Sequence, residues 1–127
     1  MTLEEIDSAG LTTAHGHLVG RALAGREPDD LPDGLVVVAD ELANGIIHEL
    51  HTVAGVDVPG RIAVVGCENN RTAGSAAVPL TAVDLPGRAM GQEAMRLLMD
   101  EVAAGAQHRH ATVVLEPELI VRASAPH

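Results

Sequence analysis

The stretch that decides the fold runs Leu35-Val36-Val37-Val38-Ala39-Asp40-Glu41-Leu42-Ala43-Asn44-Gly45, a strand pattern passing directly into a helix pattern. Five apolar residues in a row, three of them β-branched, are what a strand buried on both faces of a parallel sheet looks like. Asp40 stands at the natural N-cap position. From Glu41 to Ala54, residues Leu42, Ile46, Leu50 and Val53 form one stripe, while Glu41, Asn44, His48 and His51 lie on the opposite face. Gly55 stops this helix, Pro59-Gly60 turns the chain, and Arg61-Ile62-Ala63-Val64-Val65-Gly66 predicts a second buried strand. Strand, helix and strand within about 30 residues make a βαβ unit, whose crossover is almost always right-handed.

Similar patterns extend outward. Upstream, Thr12 to Leu23 carries Ala14, Leu18 and Ala22 at helical spacing, weakened by Gly16 and Gly20 and stopped by Gly25. A loop rich in Asp and Pro, Glu27 to Gly34, leads to the first strand. Downstream, the loop Cys67 to Val78 is long enough to be functional. An extended piece, Leu80 to Leu85, precedes a helix from Gly87 to Ala104, with Met90, Ala94, Leu97 and Leu98 inward and Arg88, Gln92, Arg96 and Asp100 outward. Two short strands, Thr112 to Leu115 and Leu119 to Arg122, flank Pro117. The fold class is α/β, a three-layer βαβ arrangement with a mainly parallel sheet.

Composition narrows the function. The 127 residues are 46% apolar but include no Phe, Trp or Tyr, so the core is aliphatic and stacking platforms for bases or sugars are missing. The net charge is −10, and all eight basic residues are Arg, spread singly from Arg21 to Arg122. Such scattered charge does not bind a phosphate backbone, so this chain alone should not hold DNA. Cys67 is the single cysteine, which excludes an internal disulfide and suits a reducing compartment. The acidic start Met1-Thr2-Leu3-Glu4-Glu5 does not resemble a signal peptide, and no run reaches the ~18 apolar residues of a membrane span. A cytoplasmic protein without membrane partners is expected.

Catalytic motifs are missing. There is no Gly-rich phosphate loop, no nucleophile elbow, and no acid pair placed by a recognisable motif. Cys67 follows a strand end, where ligand and catalytic groups gather in α/β sheets, but no base is tied to it in sequence and a small semi-buried residue is the expected reading. Of the histidine pairs, His48/His51 at i, i+3 on a helix could converge on one metal, but His15/His17 falls in an expected helix and His108/His110 in a loop, where i, i+2 spacing does not share a face. Solvated surface histidines are the expected reading. The acids Asp29, Asp30 and Asp33 read as a solvated turn. No enzyme, no cofactor and no metal are expected.

From about residue 35 to 124 the chain resembles the sensor domain of LacI/GalR-type transcriptional regulators, which share the periplasmic sugar-binding-protein fold. Four patterns carry the resemblance, in the family's order. Val38 to Gly45 resembles A-N-D-x-x-A-x-G, and Val58 to Gly66 resembles a strand ending v-v-G. Pro79-Leu80-Thr81-Ala82-Val83, then Pro86 and Gly91, resembles P-L-T-T-V…P…G, and Pro117 to Ser124 resembles P-x-L-v-x-R-x-S. The resemblance implies a partial, type I periplasmic-binding-protein-like domain spanning residues 1–127, without the helix-turn-helix that reads DNA in the family.

Residue roles follow only by that resemblance. The family's effector-binding positions fall on Ala39, Asp40, Glu68 and Leu85, where the usual Asn and Gln are replaced by Ala39 and Leu85 and the usual aromatic by Cys67. Glu68 keeps a polar handle, and Asp40 is either an N-cap or a ligand contact. The helix from Glu41 to Ala54 contributes to dimerisation in relatives, which would put Asn44, His48 and His51 at a homodimer interface. The expected function is therefore a sensor-domain fragment that binds a small effector, a sugar or nucleoside-like molecule, through an altered or vestigial site. Rival readings are an interaction module without ligand and a fragment of a sugar-transport binding protein; the latter is disfavoured by the acidic start and the closing Arg-x-Ser.

Overall fold

The computed structural model describes residues 2–126. Leu85–Glu118 forms one compact unit, and the rest of the described chain forms another.

In the larger unit, helix α1 (Thr13–Ala24) precedes strand β1 (Gly34–Val36), helix α2 (Asp40–Ile47), strand β2 (Ala63–Gly66) and strand β3 (Thr81–Asp84). The sheet order is β1-β2-β3-β4, with β4 at Glu118–Ile120. Strands β1, β2 and β3 are parallel, with Leu35 opposite Val64 and Val65 opposite Thr81. Helix α2 lies against β2, and α1 packs on α2.

The core is aliphatic, as the missing rings require. Leu23, Leu42, Ile46, Ile47, Leu50, Ile62, Val64 and Leu80 are buried together, with Ala39, Ala43, Ala73 and Ala82 filling the spaces between them. Fully burying a side chain of the Leu or Ile class contributes roughly 1.5–3 kcal/mol, so these residues dominate the unit's stability.

Several expectations need correction. Strand β1 is shorter than expected, and the apolar run that continues past it is buried on one side only: Val37 and Ala39 are buried, whereas Val36 is 79% and Val38 65% exposed. A continuous apolar run cannot reveal by itself that one face finds no cover within its own unit. Asp40 is not an N-cap. That position falls to Ala39, and Asp40 is the first residue of α2, fully buried. The expected helix over 41–54 also changes character, widening at His48 into a π-helical turn, His48–Val53. Val53, expected on the inner stripe, is consequently exposed. Gly55, at φ +71°, ends the segment as expected.

In the smaller unit, helix α3 (Gly87–Ala104) has the expected bounds, but none of its residues is buried. Met90 and Leu98, expected inward, are 53% and 52% exposed. Residues 112–115 form no strand, so the first of the two expected closing strands is absent among the described residues.

The two glycines expected to weaken α1 have a tertiary purpose. A Cβ on Gly16 would lie 2.2 Å from the Leu42 carbonyl oxygen, and one on Gly45 would lie 2.2 Å from that of Thr13. The absence of side chains at these points lets the backbones of α1 and α2 approach closely. That approach sets the neighbours of His17.

Candidate functional site

At the carboxyl ends of β1 and β2, Asp40 and the loop that follows Gly66 form a reciprocal clasp. The Asp40 carboxylate accepts hydrogen bonds from the backbone N–H of Glu68 (3.2 Å) and of Asn70 (2.7 Å). In return, the Asp40 N–H donates to Glu68 Oε2 at 3.0 Å. Because Asp40 opens α2, Glu68 satisfies one of that helix's unpaired N–H groups from a distant loop and brings negative charge to the positive end of the helix. Gly66 makes room for the clasp, since a Cβ there would sit 2.3 Å from Asp40 Oδ1.

The same loop is tied to the closing segment of the chain. Asn69, at φ +51°, donates from Nδ2 to Asp84 Oδ1 (2.8 Å) and accepts at Oδ1 from Arg122 Nη2 (2.7 Å). Arg122 also donates from Nη1 to the Leu80 carbonyl (2.7 Å), and its N–H donates to Thr81 Oγ1 (2.7 Å). Ser124, fully buried, accepts from the Thr81 N–H (2.9 Å) and donates from Oγ to the Val64 carbonyl. The Arg-x-Ser pattern is therefore a fastening of the tail to β2 and β3. The pattern is legible in the sequence but its bonds are not, because the partners lie about 40 to 60 residues away.

Cys67 lies beside this clasp. Burial pushes its thiol pKa up, and the nearby charges of Asp40 and Glu68 push it the same way. Both effects withhold the thiolate, the opposite of what a nucleophilic cysteine needs.

A profile of the periplasmic binding protein-like domain matches residues 3–125. The chain belongs to this family. Within it, the similar proteins are LacI-type regulators and not enzymes. The chain is 36% identical over 118 residues to the HTH-type transcriptional regulator MalR of Streptomyces coelicolor, covering 91% of this chain and 33% of that protein. It is 34% identical over 94 residues to the lactose operon repressor of Rhizobium radiobacter, covering 74% of this chain and 80% of that one. A LacI family regulator from Lactobacillus casei, solved with bound sucrose, superposes with a TM-score of 0.79 at 32% identity, covering 90% of this chain and 41% of that chain. The chain thus corresponds to part of a LacI-type sensor domain and spans about a third of the length of MalR.

The four effector positions carried over from the LacI/GalR resemblance are placed differently from one another. Asp40 and Glu68 are brought together, but they face each other's backbone. Ala39 is 4% exposed and offers no side-chain polar atom. Leu85 is the first residue of the smaller unit and is 53% exposed. Of the residues expected at a dimer interface, His48 and His51 are exposed, whereas Asn44 is partly buried and donates from Nδ2 to Thr72 Oγ1 at 2.8 Å.

A second cluster of polar groups occupies the α1–α2 crossing. Glu49 is 4% exposed and is gripped by Arg21, with Nε 3.1 Å from Oε2 and Nη2 3.2 Å from Oε1. Arg21 holds the Glu49 carboxyl below the usual range despite burial, with a smaller contribution from His17. His17 Nδ1 lies 2.8 Å from Glu49 Oε1, and its ring meets that of His48 edge-on at 5.1 Å. Of the three sequence pairs of histidines, His108 and His110 meet edge-on at 5.2 Å, whereas His17 meets His48 across two helices, His15 turns to Thr12 (2.7 Å), and His51 joins neither group.

Proposed function

We propose that the chain supplies part of the effector-binding wall of a LacI/GalR-type regulator, with a small sugar as ligand and DNA contact made through a separate helix-turn-helix domain. In this reading the chain's own hold on the effector is weak. The observation that carries it is the state of the carboxylates at the strand ends. Both Asp40 oxygens and Glu68 Oε2 are engaged inside the protein, so Glu68 Oε1 is the one oxygen of this pair without a partner among the described residues. Sucrose in the Lactobacillus casei regulator and cellobiose in the CelR complex, which is 32% identical at a TM-score of 0.76, support a sugar as the ligand class.

Calorimetric titration of the chain with glucose, sucrose and cellobiose tests the proposal. Weak saturable binding to one of them is expected, falling about tenfold or more in Glu68→Gln through loss of a charge-assisted hydrogen bond. Glutamine retains an oxygen for the Asp40 N–H, which separates binding from folding. No heat with any of the three sugars refutes this reading.

Exposed apolar surface favours a second reading, self-association. On α3, Met95, Leu98, Met99 and Val102 recur at i, i+3, i+4 and i+7, and each is more than half exposed. We infer a homodimer, with His48, His51 and the exposed part of Asn44 as a further contact surface. Sedimentation at micromolar concentration should give a dimer; a monomer overturns this reading.

A further inference from the structure

We propose that His17, His48 and Glu49 form a binding site for a divalent transition metal of the zinc class at the crossing of α1 and α2. Each residue offers one ligand atom, and the three atoms all lie within 4.8 Å of one another. Two ligand atoms on one tetrahedral zinc stand about 3.4 Å apart, as bond lengths of about 2.0–2.2 Å require. The pair His17 Nδ1 and Glu49 Oε1, at 2.8 Å, is already inside that distance, and His48 has at most about 1.4 Å to close.

Three independent features support the site. The first is chemical: two imidazoles and a carboxylate are a donor set that suits zinc and its neighbours and leaves one coordination position open.

The second is an unmet bonding requirement. His17 Nδ1 is buried and meets Glu49 Oε1 at 2.8 Å as an ion-pair contact, without a well-aligned hydrogen bond among the described residues. Asn44 Oδ1 is buried and has no hydrogen-bond partner among the described residues. Its orientation is fixed, because Thr72 Oγ1 gives its proton to Asn70 Oδ1 (2.6 Å) and can only accept from Asn44 Nδ2. His17, His48 and Asn44, with Thr13, Thr72 and Ser75, line an open cleft of about 350 Å³. Buried polar atoms are rarely left without well-aligned partners, and a metal on His17 Nδ1 supplies one for that atom.

The third is local geometry. The helix widens into its π turn at His48, and such turns gather at functional sites because they redirect side chains. The close approach at Gly16 and Gly45 then carries His17 to His48 and Glu49. Arg21 completes the arrangement by orienting the ligating carboxylate from outside, as outer-shell partners do at metal sites. The open position faces the cleft, where water or a donor from a bound molecule completes the coordination.

Calorimetric titration with Zn²⁺ tests the site. A second group, Glu101, His108 and His110, could bind zinc on its own, so the background chain carries His108→Gln and His110→Gln. One Zn²⁺ per chain is expected in that background. His48→Gln, at an exposed position, should leave the far-UV circular dichroism unchanged and weaken binding by more than the roughly 10–100-fold that loss of an outer-shell partner costs. Glu49→Gln should weaken binding likewise. Absence of zinc binding in the background chain, or an affinity in His48→Gln within threefold of the background, overturns the proposal.

Discussion

Replacing Ser124 by alanine removes a single oxygen at the point where the tail enters the sheet. Ser124 Oγ accepts from the buried Thr81 N–H at 2.9 Å and donates to the Val64 carbonyl, so it links β2 to β3 just where their own pairing begins at Val65 and Thr81. Alanine keeps the backbone bonds of this residue, from Ser124 N–H to Pro79 and from Val64 N–H to Ser124. The loss is therefore confined to the hydroxyl. An ordinary hydrogen bond contributes about 0.5–1.5 kcal/mol, and leaving a buried donor without an acceptor costs about 1–3 kcal/mol. With the bond to the Val64 carbonyl lost and the Thr81 amide orphaned, the expected destabilisation is about 2–4 kcal/mol, a large part of the roughly 5–15 kcal/mol that holds a typical domain. The measurement is urea unfolding followed by far-UV circular dichroism, since a chain without Trp, Tyr or Phe has no useful intrinsic fluorescence. For a slope of about 2 kcal/mol per molar urea, the midpoint should fall by roughly 1–2 M. A fall below about 0.3 M at unchanged slope would refute the assignment of Arg-x-Ser as a fastening.

Two further outcomes are expected. Gly45→Ala places a Cβ against the Thr13 carbonyl and should destabilise by about 1–3 kcal/mol or more, because two helix backbones must separate; an unaffected unfolding midpoint would show that the crossing has slack. Cys67 should be alkylated by iodoacetamide more slowly than glutathione at the same pH. Its raised pKa leaves a smaller thiolate fraction at every pH below that pKa, so its rate profile should be displaced to higher pH. Asp40→Asn should move the profile back down, and a profile matching that of glutathione would contradict the burial assigned to the thiol.

The βαβ unit was legible because its signals are local. Apolar runs of strand length, a stripe at 3.6-residue spacing and Gly55 at the helix end depend on neighbours in sequence, and the structure places β1, α2 and β2 where those signals lie. Glu68 was legible as a polar group at a strand end, but its bond to the Asp40 N–H was not, since nothing local shows which loop returns to cap α2. The outward face of β1 and the inward stripe of α3 failed for a related reason. Periodicity shows which side of an element is apolar, not whether anything covers it.

The sequence by itself determined an aliphatic core, a parallel α/β order of elements and membership among sensor domains of LacI type, because composition, periodicity and short ordered patterns are properties of the chain read in one dimension. Only the tertiary structure decided the roles of single residues. Gly16 and Gly45 pass from helix weakeners to the close contact of α1 with α2, Asp40 from a cap to the anchor of a loop, and His17 from half of a sequence pair to a partner of His48 and Glu49. Each of those roles depends on groups about 30 residues apart meeting within hydrogen-bond or van der Waals distance, and such meetings are fixed by how helices and strands pack.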